Sequence, residues 1–136
     1  MVDFVSKEKR ARIMRGSKSK NTKPELAVRA ALRSMGIGYR LHRKDLPGRP
    51  DIAMIGRKKA IFVHGCFWHQ HIDPECPISR KPESNTEFWN EKFAGNKARD
   101  QRNATALRDA GFDVLTIWEC EVNDGSYTSK VDAFLN

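Results

Sequence analysis

Apolar residues recur at helical spacing in the first regular segment of the chain. Thr22 suits an N-cap and Pro24 the first turn of a helix that runs to about Met35, where two glycines end the pattern. Glu25 and Arg29 fall one turn apart on a polar edge and can pair with each other, whereas leucines and alanines cover most of the remaining surface. The pattern predicts a largely buried helix with one polar edge.

Strand-like patterns occupy the next part of the chain. Apolar runs lie at 39–42, 51–56 and 59–65, and a Leu-Pro-Gly-Arg-Pro turn follows the first. Only Arg57 and Lys58 separate the last two runs, so we predict a tight hairpin. A two-residue loop would place Asp51 directly opposite His64 on one face of the hairpin. Both faces are mainly apolar, which predicts central strands covered by helices.

A long helical pattern dominates the C-terminal half. The sequence Ser84–Glu87 reads as a capping box at its start, and Gly111 ends it. A strand at 112–119 and a short helix at 127–135 follow. The order of helices and strands predicts an α/β fold, with a mixed β-sheet flanked by helices.

One stripe of the long helix mixes apolar and polar residues. Its members recur at helical spacing: Trp89, Phe93, Asn96, Asp100, Ala104 and Leu107. A carboxylate on a core-facing stripe needs a cation or a hydrogen-bond donor. Asp100 is therefore expected to pair with His64 or His69, to approach a metal ion, or to pair with a nearby lysine or arginine.

The net charge of the chain indicates a polyanionic partner. The 136 residues carry 25 Lys and Arg against 17 Asp and Glu, a net charge of +8, which favours nucleic acid above an anionic membrane. Residues 1–23 alone hold eight basic and two acidic side chains, so +6 of that surplus lies there. We expect residues 1–22 to form a basic arm that clamps phosphates, ahead of one folded domain at 23–136. A solvated terminus is the alternative.

The remaining composition is typical of an ordinary soluble domain. Hydrophobic residues make up 39% of the chain, and its length fits a single core. We find no run of eighteen apolar residues and no secretory signal, so we expect no membrane span and a cytoplasmic protein.

The pairing of Asp51 with His64 is the first candidate for chemistry. A carboxylate and an imidazole at the end of two apolar strands would cost several kcal/mol if buried without partners. The pair fits a metal-binding carboxylate beside a histidine that neutralises charge on a phosphate. A purely structural Asp–His pair at the rim of the sheet is the alternative.

The three cysteines form the second candidate. Cys66, His71 and Cys76 have loop spacing that suits tetrahedral zinc, and Cys120 after the last strand can supply the fourth ligand of a closed, structural site. Asp73 is an alternative ligand, and three unrelated buried thiols are the alternative to a metal site.

Two aromatic residues, Phe67 and Trp68, follow Cys66 directly. On an irregular, zinc-bound loop they can stack on bases or wedge between them. Ordinary core packing is the alternative.

Several motifs together resemble a known group of nucleases. Pro50-Asp51 followed by a hairpin resembles the restriction-endonuclease-like PD-(D/E)xK superfamily, but the usual acidic-x-Lys positions read Phe62-Val63-His64. With Leu-Pro-Gly-Arg-Pro-Asp, His-Gly-Cys-Phe-Trp-His and Thr-Glu-Phe-Trp, the chain closely resembles the very short patch repair endonucleases over roughly residues 10–120.

That resemblance implies a magnesium-dependent enzyme that nicks duplex DNA 5′ to the thymine of a T·G mismatch, the product of 5-methylcytosine deamination. It implies that Asp51 and the backbone carbonyl of Val63 bind magnesium, that His69 is the general base, and that His64 supports the charged phosphate. The family's other acidic active-site positions correspond to Glu25 and Asp100.

The resemblance also assigns roles in DNA binding and zinc binding. The DNA-wedging residues correspond to Phe67, Trp68 and Trp89, with Met14 entering from the other groove. The zinc ligands correspond to Cys66, His71, Cys76 and Cys120, although the stretch between the second and third is longer than the family pattern, which leaves Asp73 open as the third ligand. A single-strand cut is compatible with a monomer, and mismatch-repair proteins are further candidate partners. A same-fold endonuclease for matched DNA and a non-catalytic, zinc-stabilised DNA-binding module are the alternatives.

Overall fold

The computed structural model describes residues 22–66, 76 and 84–136, which form one mixed β-sheet with helices against it. The elements are α1 (Lys23–Ser34), β1 (Arg40–Leu41), β2 (Ile52–Met54), β3 (Lys59–His64), α2 (Thr86–Asp109), β4 (Asp113–Trp118), α3 (Glu119–Asp124) and α4 (Tyr127–Leu135). The predicted α/β fold with a helix-flanked mixed sheet is confirmed.

The sheet has the strand order β1-β2-β3-β4. The β1–β2 and β2–β3 pairs are antiparallel, whereas β4 lies parallel to β3 with α2 between them in sequence. A parallel connection needs such a crossover element. β3 is therefore a central strand, and its C-terminal end lies beside the end of β4, with His64 level with Trp118.

The hairpin differs in register from the prediction. Ile52 pairs with Ile61 and Ala53 with Ala60, so the loop comprises four residues, 55–58, instead of two. Lys58 closes that loop with a left-handed φ of 54°. The predicted pairing of Asp51 with His64 is therefore wrong. The slip is two residues, so the alternation of faces survives it.

The main core lies between α1, α4 and one face of the sheet. Its fully or nearly buried members are Val28, Leu32, Ile52, Met54, Ile61, Ile117 and Val131. The prediction that α1 buries its leucine- and alanine-rich surface is wrong, because Leu26 is 47% exposed while Glu25 and Arg29 are buried. The buried stripe takes positions 25, 28, 29 and 32, the i, i+3, i+4, i+7 spacing of one helix face.

The long helix α2 supplies a second packing layer through the predicted stripe. Phe93 and Leu107 are buried, and the ring of Trp89 stacks on Phe93 with 5.7 Å between centroids. The predicted capping box is wrong: Asn85 is the N-cap, in a left-handed conformation and without a side-chain cap bond. In the part of the chain that the structure describes, no helix combines the length and apolar character needed to cross a membrane.

Gly48, in the turn before Asp51, allows this loop to approach α2. It has a φ of +74°, and a Cβ there would lie 2.5 Å from the Cβ of Asn103. Gly36 shares the φ of +74° but has open space around it, so it is a matched control.

We expect Gly48→Ala to lower the free energy of unfolding by about 1–3 kcal/mol more than Gly36→Ala does, because only the first adds a clash to the shared backbone strain. Urea unfolding of the two variants measures this difference. Equal losses would mean that Asn103 moves aside freely.

Candidate active site and cysteine cluster

Glu25 is a buried carboxylate in the first turn of α1. Its N–H donates to the N-cap hydroxyl of Thr22 (3.4 Å), which fixes the start of the helix. The Glu25 side chain is paired with Arg29 one turn later, and the Nε2 atom of His42 lies 3.1 Å from each of its carboxylate oxygens. With 1% of Glu25 exposed, these partners offset the cost of burying its charge.

Asp51 lies in the bend before β2, and its side chain is hydrogen-bonded to β3. Its Oδ2 accepts a hydrogen bond from the backbone N–H of Val63 at 2.7 Å. Burial raises the pKa of Asp51 to about 6, against the opposing effects of the Val63 hydrogen bond and of the Arg29 charge. The carboxylate is thus held firmly in surroundings that disfavour its charge unless a cation is added.

The imidazole opposite Asp51 belongs to His42. The β1–β2 register pairs Leu41 with Ile52, and one residue further the N–H of His42 donates to the carbonyl of Asp51 at 3.3 Å. Single ligand atoms of Glu25, His42 and Asp51 all lie within 4.8 Å of one another. Sequence reasoning missed His42; the signal that would have found it is the antiparallel pairing of β1 with β2.

His64 ends β3 with a different set of neighbours. It is 8% exposed, its Nδ1 lies 3.9 Å from Oδ2 of Asp100, and its ring meets Trp118 edge-on at 5.2 Å. The distance to Asp100 is an ion-pair separation and too long for a hydrogen bond. Because Val63 binds Asp51 and the next residue faces Asp100, the end of β3 links the two groups of side chains.

The three cysteines come together at the ends of β3 and β4. Their Sγ atoms all lie within 4.8 Å of one another, and none of Cys66, Cys76 and Cys120 forms a disulfide. The N–H of Cys120 donates to Sγ of Cys66 at 3.3 Å. Burial raises the pKa of the Cys66 thiol, and burial is also the largest cause of the raised pKa of Cys120. The alternative of three unrelated thiols does not hold.

Several predicted site residues fall outside the described part of the chain. They are Met14, Phe67, Trp68, His69, His71 and Asp73, together with most of the basic arm. Trp89 is described: it is half-buried on α2, next to Phe88, whose side chain is 58% exposed. The predicted residues that are described form three groups: Glu25 with Asp51, His64 with Asp100, and the three cysteines.

Comparisons with known proteins identify relatives that are DNA endonucleases. A family model described as DNA mismatch endonuclease Vsr matches residues 2–75. The type II nicking enzyme V.XorIIP of Xanthomonas oryzae is 48% identical over 124 residues, 91% of this chain and 89% of that protein. The DNA mismatch endonuclease Vsr of Escherichia coli K12 is 33% identical over 141 residues, 99% of this chain and 88% of that protein.

A solved structure shares the fold. The catalytic domain of the homing endonuclease I-Bth0305I superposes with a TM-score of 0.55 and 25% sequence identity, covering 84% of this chain and 94% of that domain.

Proposed function

Since the chain belongs to the Vsr family of DNA mismatch endonucleases, we propose that it nicks duplex DNA 5′ to the thymine of a T·G mismatch. The observation that carries this proposal is the position of the Asp51 carboxylate. It lies beside Glu25 and accepts a hydrogen bond from the backbone N–H of Val63, the residue before His64. Nicking of one strand is also what the names of the related type II nicking enzymes describe.

The residues around Asp51 fit a magnesium ion. Magnesium takes oxygen ligands and keeps several waters, so one or two carboxylates and a carbonyl suffice. Glu25 and Asp51 supply the carboxylates, and the N–H and C=O of a strand residue point to the same side, which directs the Val63 carbonyl toward Asp51 as well. When bound there, magnesium would neutralise phosphate charge and make a water more acidic.

The imidazoles would act on the phosphate and on the attacking water. A protonated His64, stabilised by the Asp100 carboxylate 3.9 Å away, can neutralise charge on a phosphate oxygen. His69, five residues further along, would accept the proton of the attacking water, since the unperturbed pKa of histidine is about 6.5.

Mismatch selectivity would come from wedging. Unstacking a base step costs a few kcal/mol, and that cost is lower at a mismatch. Trp89, stacked on Phe93 of α2, has a rigid base from which to wedge. Phe67, Trp68 and Met14 would act with it, while the basic arm would bind phosphates.

The cysteine cluster fits a structural zinc ion. In a tetrahedron with zinc–sulfur bonds of about 2.3 Å the sulfurs are roughly 3.8 Å apart, which lies within the 4.8 Å limit met by Cys66, Cys76 and Cys120. His71 would be the fourth ligand. The position of Cys76 in this cluster favours it over Asp73 as the third.

A nicking assay across mismatches tests the proposed function. Labelled duplexes with a T·G pair, the other mismatches and a matched pair are compared with and without magnesium, in several flanking sequences. We expect single-strand cutting that needs magnesium and favours T·G. Equal cutting of matched duplex would indicate a same-fold endonuclease without mismatch selectivity, and binding without cutting would indicate a non-catalytic module.

We expect His69→Ala to lower the single-turnover nicking rate by about 10²–10⁴-fold, the usual contribution of a general base. Binding of the T·G duplex should stay intact. An unchanged rate would assign the base to another residue.

A further inference from the structure

We propose that His42 is a nitrogen ligand of the divalent cation held by Glu25 and Asp51. This ligand should make the preference of the site for manganese over magnesium stronger than that of a site with oxygen ligands only. The inference rests on the proposed metal site and adds to it a ligand at the end of β1. It concerns the chemistry of the cation, and is separable from the choice of DNA substrate.

The spacing of the three side chains supports a shared ion. Neighbouring ligand atoms at about 2.1 Å from an octahedral ion are roughly 3 Å apart. The Nε2 atom of His42 lies 3.1 Å from each oxygen of Glu25, and an oxygen of Asp51 completes a set within 4.8 Å. The pairing of His42 N–H with the Asp51 carbonyl holds the imidazole close to this position before any ion binds.

The charges also leave room for a cation. Glu25 and Asp51 contribute two negative charges when ionised, and Arg29, paired with Glu25, contributes one positive charge. Glu25 therefore already has a permanent cationic partner, and His42 is not needed for that purpose. Counting only Glu25, Asp51 and Arg29 among the described residues, one negative charge remains, and it lies beside three converging ligand atoms that suit a divalent ion.

The chemistry of the ligands predicts the selectivity. Carboxylates and carbonyls suit magnesium, whereas imidazole suits first-row transition ions. One imidazole among oxygen ligands should therefore raise the affinity for manganese more than the affinity for magnesium.

The test uses manganese as the probe, bound to the full chain without DNA. Electron spin echo measurements on the wild type should show coupling of manganese to a ¹⁴N nucleus. In His42→Gln, which keeps a hydrogen-bonding group beside Glu25, that coupling should disappear. Its loss in this variant assigns the nitrogen to His42 and not to His64 or His69.

Isothermal titration gives the matching affinities. In His42→Gln the manganese affinity should fall by at least roughly 10–100-fold, because loss of even an outer-sphere partner of a metal costs that much. The magnesium affinity should fall less. Arg43→Ala is the matched control, because Arg43 is the next residue and its ion pair is with the exposed Asp45. Thermal unfolding verifies that each variant is folded.

Absence of nitrogen coupling in the wild type, absence of manganese binding, or an unchanged manganese-to-magnesium ratio in His42→Gln would each overturn the proposal. Nitrogen coupling from His42 in a protein that fails to nick T·G duplex would sustain the ligand and reject the proposed function, so the two failures are distinguishable.

Discussion

Asp51→Asn should reduce nicking of a T·G duplex by roughly 10³-fold or more, because the amide removes a negative ligand whose cation supplies several kcal/mol of charge stabilisation. The amide oxygen can still accept the hydrogen bond from the Val63 N–H, so we expect the fold to persist. DNA binding in a gel-shift assay should remain, and single-turnover nicking with magnesium measures the loss. Retained cutting would remove Asp51 from the active site.

The same substitution should stabilise the protein at neutral pH. Burial raises the pKa of Asp51 from its ordinary 3.8 to about 6, so the folded state favours the protonated acid. That contribution is fully present below about pH 4 and is lost as the pH rises through about 6. Above pH 6 the wild type therefore carries a cost that asparagine avoids, about 3 kcal/mol at most.

Urea unfolding at pH 4 and pH 8, without added magnesium, tests this dependence. Asp51→Asn should gain stability over the wild type at pH 8 and lose most of that gain at pH 4. Asp109→Asn, which changes an exposed carboxylate on α2, is the control and should show no such trend. A stability difference that does not vary with pH would contradict the role of burial.

The elements were predictable where local chemistry determines them. Thr22 and the glycine pair bounded α1, and the spacing of the long helix placed Phe93 and Leu107 in the core. The hairpin register was not predictable, because the same apolar alternation fits a two-residue and a four-residue loop, and the loop length fixes the register. A two-residue slip then moved the partner of Asp51.

The site was predictable to the extent that its groups reveal themselves by residue type. The cysteines did so through loop spacing. The pairing of Glu25 with Arg29 was predicted but their burial was not, since charged residues are normally exposed and only such pairing offsets the cost of burial. His42 escaped notice because the two residues of β1 are too few to show an alternating pattern. The short strand nevertheless carries an imidazole into contact with Glu25.

Removal of zinc should have the second large effect, because the proposed ion would join distant parts of the chain. Cys66 follows β3, and Cys120 lies in the first turn of α3 directly after β4, so a shared ion would link the ends of two parallel strands. Structural zinc contributes about 10–16 kcal/mol of apparent binding free energy in zinc-finger peptides, and part of that is folding free energy. We expect Cys120→Ser to lose zinc and to lower the free energy of unfolding by several kcal/mol.

Chelation and mutation should then act on the same interaction. A strong chelator should lower the thermal stability of the wild type toward that of Cys120→Ser and have little further effect on the variant, the non-additivity expected of one shared site. Lys130→Gln, which breaks the ion pair with Glu121 of α3, is the control that destabilises the same region and should keep its zinc. Since burial raises the pKa of the Cys66 thiol, zinc must displace protons, so its affinity should fall as the pH is lowered. A full zinc content in Cys120→Ser by atomic absorption would remove Cys120 from the ligand set. A wild type indifferent to the chelator would leave the clustered thiols without a metal to explain them.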